Sequence, residues 1–146
     1  MKIHELGHLV FYVSDLTRSA DFYKKILGFT EIHRNLHTAL FSSGRTHHEL
    51  LLIEIGGTPP YKDRPEVGLY HVGFKIGNTD EELKQAIKEL TDHGVQIVGS
   101  ADHHVTHSIY VLDPDNNELE LYIDVDESWK EDSSKILNPT KRLVLE

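Results

Sequence analysis

A pattern that occurs twice limits what this chain can become. From His8 to Val13 (HLVFYV) side chains alternate as in a strand buried on one face. Ser14-Asp15 then signals a helix start. Leu16, Ala20, Tyr23 and Leu27 follow at helical spacing, and Gly28 stands where a left-handed cap belongs. The same order returns at His71–Ile76 (HVGFKI). A Thr79-x-x-Glu82 capping box comes next, then an apolar stripe of Leu83, Ala86, Ile87 and Leu90, and a closing Gly94. His8 and His71 are 63 positions apart and Gly28 and Gly94 are 66 apart, a steady offset that reads as duplication.

Three strand-like runs follow each helix. They are Thr30–His33, Thr38–Phe41 and His48–Ile55 in the first half, and Gln96–Val98, Ser108–Leu112 and Leu119–Ile123 in the second. Asp113-Pro114-Asp115-Asn116-Asn117 makes a strong turn before the last run. The order predicts an α+β fold of two βαβββ modules, forming a paired, cup-shaped mixed sheet with helices outside. Module one covers about 4–56 and module two about 68–124, within one domain of 1–124. The Gly- and Pro-rich stretch at about 57–67 is the linker between them. Residues 125–146 form a tail that packs on the body or meets a second subunit.

Strand phase nominates the site. His8, Val10 and Tyr12 share a face opposite Leu9, Phe11 and Val13. His71, Gly73 and Lys75 oppose Val72, Phe74 and Ile76, while Glu118, Glu120 and Tyr122 oppose Leu119, Leu121 and Ile123. The apolar faces suit packing under helices, which leaves His and Glu on the concave side. His8 and His71 hold equivalent positions in the repeat, and Glu120 adds a carboxylate. Two imidazoles and one carboxylate with open positions are the donor set of non-haem Fe(II) oxygenases. The plainer reading makes each an ordinary strand residue facing water.

Composition narrows the chemistry. The chain has no cysteine, so a metal must sit on nitrogen and oxygen donors. Eleven histidines lie between His4 and His107, too dispersed to be a tag. A net charge of −9 argues against nucleic acid and against an anionic membrane surface. No basic-then-apolar leader opens the chain and no run approaches about 20 apolar residues, so a cytoplasmic location is expected.

Gly7-His8-Leu9, Val13-Ser14-Asp15, Phe22-Tyr23 and Leu27-Gly28-Phe29 together resemble the vicinal oxygen chelate superfamily. Asp113-Pro114-Asp115 and Glu118-Leu119-Glu120-Leu121 complete the likeness. That superfamily includes glyoxalase I, fosfomycin-resistance proteins and extradiol dioxygenases. Thr46-His47-His48-Glu49-Leu50, Leu69–Phe74 and Asp102–Tyr110 look like its catechol 2,3-dioxygenase-like branch. The resemblance implies Fe(II), with Mn(II), Zn(II) or Ni(II) as other ions, held by His8, His71 and Glu120. His48 would be the acid–base residue, while His103 and Tyr110 would line the pocket and hydrogen-bond a catecholate. It further implies an aromatic vicinal diol and dioxygen as substrates, no organic cofactor, and a homodimer. His104 departs from the pattern, standing where such loops often have Gly. So does the length, because many ring-cleaving relatives carry two pairs of modules.

Three other readings stand beside this one. A glyoxalase I-like lyase or isomerase needs a fourth ligand from the first half's counterpart of Glu120. Pairing Ala39 with Ile109 makes that counterpart Leu50, which cannot ligate, and Glu49 falls out of phase. A fosfomycin-type enzyme needs cations near the metal, for which Arg34, Arg45 and Lys75 are the candidates. A non-catalytic small-ligand binder needs no metal ligands at all.

Overall fold

The computed structural model describes residues 1–60, 65 and 67–145; Tyr61–Arg64 and Glu66, within the expected linker, and the terminal Glu146 lie outside the described residues. The chain divides into two compact units. One holds Met1–Tyr61 with Pro114–Asn116, and the other Lys62–Asp113 with Asn117–Glu146.

The first unit's sheet has the order β1-β4-β3-β2. Its strands are β1 (Leu9–Val13), β2 (Thr30–Arg34), β3 (Thr38–Ser42) and β4 (Leu50–Glu54). β1 lies parallel to β4, and the other pairs are antiparallel. The helix α1 (Leu16–Asp21) starts at Asp15, whose carboxylate accepts from the Arg18 amide at 2.8 Å. The expected single helix to Leu27 does not form. From Phe22 to Ile26 the backbone widens into a π-turn, with the Leu27 amide donating to the Phe22 carbonyl. Phe22 and Tyr23, at the start of this turn, are both buried. Gly28 then turns the chain at φ +75°. Under α1 the core is Phe11, Val13, Phe41, Leu50 and Leu52, the alternate residues of three strands. Asp115 also belongs to this unit and is 5% exposed. It accepts from the Ser14 amide at 3.0 Å and the Ser19 hydroxyl at 2.9 Å, which fixes the helix entry.

The second unit repeats the plan with the order β5-β8-β7-β6. Its elements are β5 (His71–Gly77), α2 (Asp80–Asp92), β6 (Ile97–Asp102), β7 (Thr106–Leu112) and β8 (Glu118–Asp124). β5 is parallel to β8. The Thr79–Glu82 capping box forms as read from the sequence. Glu82 Oε2 accepts the Asn78 and Thr79 amides at 2.8 and 3.0 Å, passing so close to Gly77 that an added Cβ would meet it at 2.5 Å. Leu83 and Leu90 are the buried residues of α2, and Ile109, Val111, Leu119 and Ile123 are buried on the β7 and β8 strands it packs against. β6 runs to Asp102, longer than the expected Gln96–Val98. After short 3₁₀ turns at Ser128–Lys130 and Ser133–Leu137, the tail returns to this unit, where Lys141 pairs with Asp102.

Two four-stranded mixed sheets with few helices make this an α+β paired-module fold. Among the described residues, no helix is long and apolar enough to cross a membrane.

Candidate functional site

Register builds the polar face of the second unit. β5 places His71 opposite Glu118 and Gly73 opposite Glu120, and the antiparallel β7 sets Tyr110 against Glu120 on its other side. His71 Nε2 lies 3.0 Å from Glu120 Oε2. The Tyr110 hydroxyl donates to Glu120 Oε1 at 3.2 Å, and His103 Nε2 lies 2.9 Å from that hydroxyl. A Cβ at Gly73 would lie in ordinary contact with Glu120 Oε2 at 3.6 Å, and one at Gly99 with the Tyr110 ring at 3.4 Å.

Electrostatics fixes the proton on Tyr110. Burial, then the Glu120 carboxylate, push its pKa up to about 12, so it is a hydrogen-bond donor at neutral pH. His71 keeps one buried nitrogen, Nδ1, without a hydrogen-bond partner among the described residues; the nearest acidic oxygen, Glu118 Oε1, is 3.7 Å away. Glu118 also engages Tyr70, whose phenol that carboxylate holds above its ordinary value.

The first unit carries His8 and His48 with ring centres 4.6 Å apart. His48 Nδ1 is 2.6 Å from His47 Nδ1, so one of those nitrogens donates and the other accepts. Loss of solvent, then the neighbouring His47 and His8, hold the His48 pKa below its usual value, favouring the neutral base. His48 precedes β4 instead of starting it as expected, because that strand begins at Leu50.

The structure therefore brings His71, Glu120, Tyr110 and His103 together in one unit, and His8 and His48 in the other. Among the described residues, no group of three or more His, Cys, Asp or Glu side chains is gathered for a metal ion. The donor chemistry of His71 and Glu120, one imidazole nitrogen and one carboxylate oxygen 3.0 Å apart, fits a divalent ion of the Fe(II), Mn(II), Zn(II) or Ni(II) kind.

The first half's counterpart of Glu120 needs correction. β1 pairs Leu9 with Leu50 and Val10 with Leu51, whereas β5 pairs Val72 with Leu119 and Gly73 with Glu120. Leu51, not Leu50, is equivalent to Glu120, since the offset drops by one between β3 and β4. Leucine still cannot ligate. Glu49 then shares Leu51's phase, but its carboxylate accepts the Ser43 and Thr46 amides at 2.8 and 3.0 Å and so closes its own loop. Sequence reasoning put Glu118 on the Glu120 face but gave it no role. It missed Thr140, whose hydroxyl is 3.2 Å from His103 Nδ1.

With this fold and this face, the chain belongs to the Glyoxalase/Bleomycin resistance protein/Dioxygenase superfamily, which it matches over residues 5–121. Among curated relatives it is similar to a catechol-2,3-dioxygenase of Bacillus subtilis, 31% identical across 89% of this chain and 46% of that protein. The chain thus spans about half the length of that relative. It is similar at 30% identity to the metallothiol transferase FosB of Staphylococcus epidermidis, across 84% of this chain and 83% of that one. Among solved structures, a glyoxalase/dioxygenase from Nostoc punctiforme superposes with a TM-score of 0.69 at 20% identity, covering 84% of this chain and 92% of that one.

Proposed function

We propose that the chain is a divalent-metal enzyme of the extradiol dioxygenase type, acting on a catechol-like vicinal diol with dioxygen. His8, His71 and Glu120 are the ligands in this reading, and Fe(II) is the favoured ion, ahead of Mn(II), Zn(II) or Ni(II). The observation that carries it is the run of hydrogen-bonding groups His71, Glu120, Tyr110 and His103 on one sheet face. When bound, the ion would acidify and orient the diol and supply the redox chemistry toward dioxygen.

The protein groups divide the remaining work. Tyr110, holding its proton, donates a hydrogen bond and keeps Glu120 in one orientation. His103 supports the Tyr110 oxygen from the other side. His48, with Nδ1 against His47, offers Nε2 to take a proton from a substrate hydroxyl and later return it. Homodimeric assembly and a cytoplasmic location accompany this reading.

The likeness to a metallothiol transferase supports a second reading, transfer of a thiol to a phosphonate substrate. The cations weigh against it, because each is engaged by a carboxylate. Arg34 forks onto Glu31 at 3.1 and 2.9 Å, Arg45 meets Glu5 at 3.0 Å, and Lys75 meets Asp124 at 2.6 Å. A glyoxalase-type reaction lacks its fourth side chain, given Leu51 and an occupied Glu49.

Protein supplied anaerobically with Fe(II) should bind one equivalent and consume oxygen with at least one member of a catechol panel. Stoichiometric metal without oxygen uptake, together with thiol addition to fosfomycin, would hand the site to the transferase reading. No metal binding at all would leave a ligand-binding protein.

A further inference from the structure

We propose that the C-terminal segment Pro139–Lys141 is part of the site, with the Thr140 hydroxyl positioning His103. The segment lies beyond the matched residues 5–121, yet three separate contacts hold it on the second unit. Asp102 and Lys141 exchange two backbone hydrogen bonds, Asp102 N–H to Lys141 O at 3.0 Å and Lys141 N–H to Asp102 O at 2.8 Å. The His104 ring donates from Nε2 to the Pro139 carbonyl at 2.8 Å. Between those anchors the Thr140 hydroxyl reaches His103 Nδ1 at 3.2 Å.

Donor and acceptor counting gives these contacts one direction. The Glu120 carboxylate only accepts, so the single Tyr110 proton goes to it. The Tyr110 oxygen must then accept from His103, which places a hydrogen on Nε2. In the neutral ring Nδ1 is left as acceptor, and the Thr140 O–H is its donor. The Tyr110–Glu120 bond thus sets the tautomer, and the tail's hydroxyl holds it by partnering Nδ1. Without the hydroxyl, Nδ1 loses its partner and the ring can turn.

His104 makes sense on the same ground. Its φ of +69° lies in the left-handed region, a strained place for a residue with a Cβ. A glycine there would relieve the strain but would remove the imidazole that grips Pro139.

The tautomer assignment rests on the chain's own hydrogen bonds; only its effect on turnover rests on the metal-enzyme reading above. The first test accordingly uses metal-free, full-length protein. Imidazole ¹⁵N–¹H spectra should show His103 as the Nε2–H form with a hydrogen-bonded Nδ1. Thr140→Val should move the Nδ1 resonance to its unbonded position, Thr140→Ser should restore it, and slowed exchange of the Asp102 amide should persist in both. Lys141→Pro, which removes the N–H that Asp102 accepts, should move the Nδ1 resonance and expose that amide. In metal-loaded protein Thr140→Val should lower kcat roughly tenfold with KM little changed. Unchanged His103 signals in Thr140→Val and Lys141→Pro would overturn the proposal, whatever the activity. So would a shift that Thr140→Ser fails to restore.

Discussion

Tyr110 holds its proton because burial and the Glu120 carboxylate both oppose its loss. That shift has a signed consequence for stability. Below pH 10, the ordinary phenol value, folded and unfolded chains both keep the proton, and its contribution is fully present. Between pH 10 and about 12 only the unfolded chain ionises, so stability falls through that window. Urea titrations from pH 9 to 12 should show this decline, and Tyr110→Phe should flatten part of it. Tyr70 and Tyr122, also raised, keep their share of the slope. At neutral pH the same variant should cost about 1–3 kcal/mol, since the hydroxyl's bonds to both Glu120 and His103 are lost. The histidines separate by role. His71→Ala should abolish metal binding, read by elemental analysis. His48→Ala should retain the metal but slow turnover, by roughly 100-fold or more if general-base catalysis operates. Equal metal loss in both would end that division. His71 and Glu120 were legible because period-2 alternation assigns a face without any knowledge of the partner strand. Thr140 was not, because its relevance depends on where a tail returns, and nothing in the sequence around it encodes that.

At the scale of the element, caps and turns were readable and departures from regular geometry were not. The Thr79–Glu82 box is written in four adjacent residues and forms as expected. Thr79→Ala should cost about 1 kcal/mol in global stability, measured by denaturation. Its pH signature follows from Glu82, whose carboxyl is held below its ordinary value chiefly by the Asn78 amide. A depressed acid stabilises the fold above its unfolded value and loses that contribution as pH falls through the folded value. Amide protection in the first turn of α2 should therefore fade below about pH 4.5, the unperturbed value, and Glu82→Gln should remove that dependence. The π-turn at Phe22–Ile26 gave no such notice. Leu16, Ala20, Tyr23 and Leu27 fit an α-helix, and nothing in their spacing marks the wider turn that forms at Phe22–Ile26. The Leu50/Leu51 slip has a similar origin, since a one-residue change of offset between β3 and β4 is invisible until strands are paired.

At the scale of the molecule, the two copies of one plan have diverged in what their sheet faces offer. Tyr110, Glu120 and Tyr122 in the second unit have Leu40, Leu51 and Ile53 as their register equivalents in the first. At those three positions the second unit carries donors and acceptors where the first carries aliphatic side chains. The scaffold is present twice, while the His71–Glu120–Tyr110–His103 chain is found in the second unit. A resident metal would contribute to stability as well as to reaction, because an ion that binds only the folded chain adds RT ln(1 + [L]/Kd). At a hundredfold excess over Kd that is about 2.7 kcal/mol. For a chain of this size it corresponds to a rise in Tm of roughly 5–10 °C. Anaerobic Fe(II) or Mn(II) should produce that rise, and a chelator should reverse it. His8→Ala, His71→Ala and Glu120→Ala should each abolish it, whereas Leu51→Ala should lower the baseline Tm and leave the increment intact. An increment that survives loss of His8 would remove that histidine from the ligand set while leaving His71 and Glu120 in it. A Tm indifferent to every divalent ion would mean that the His71–Glu120 contact is only a polar contact holding β5 to β8.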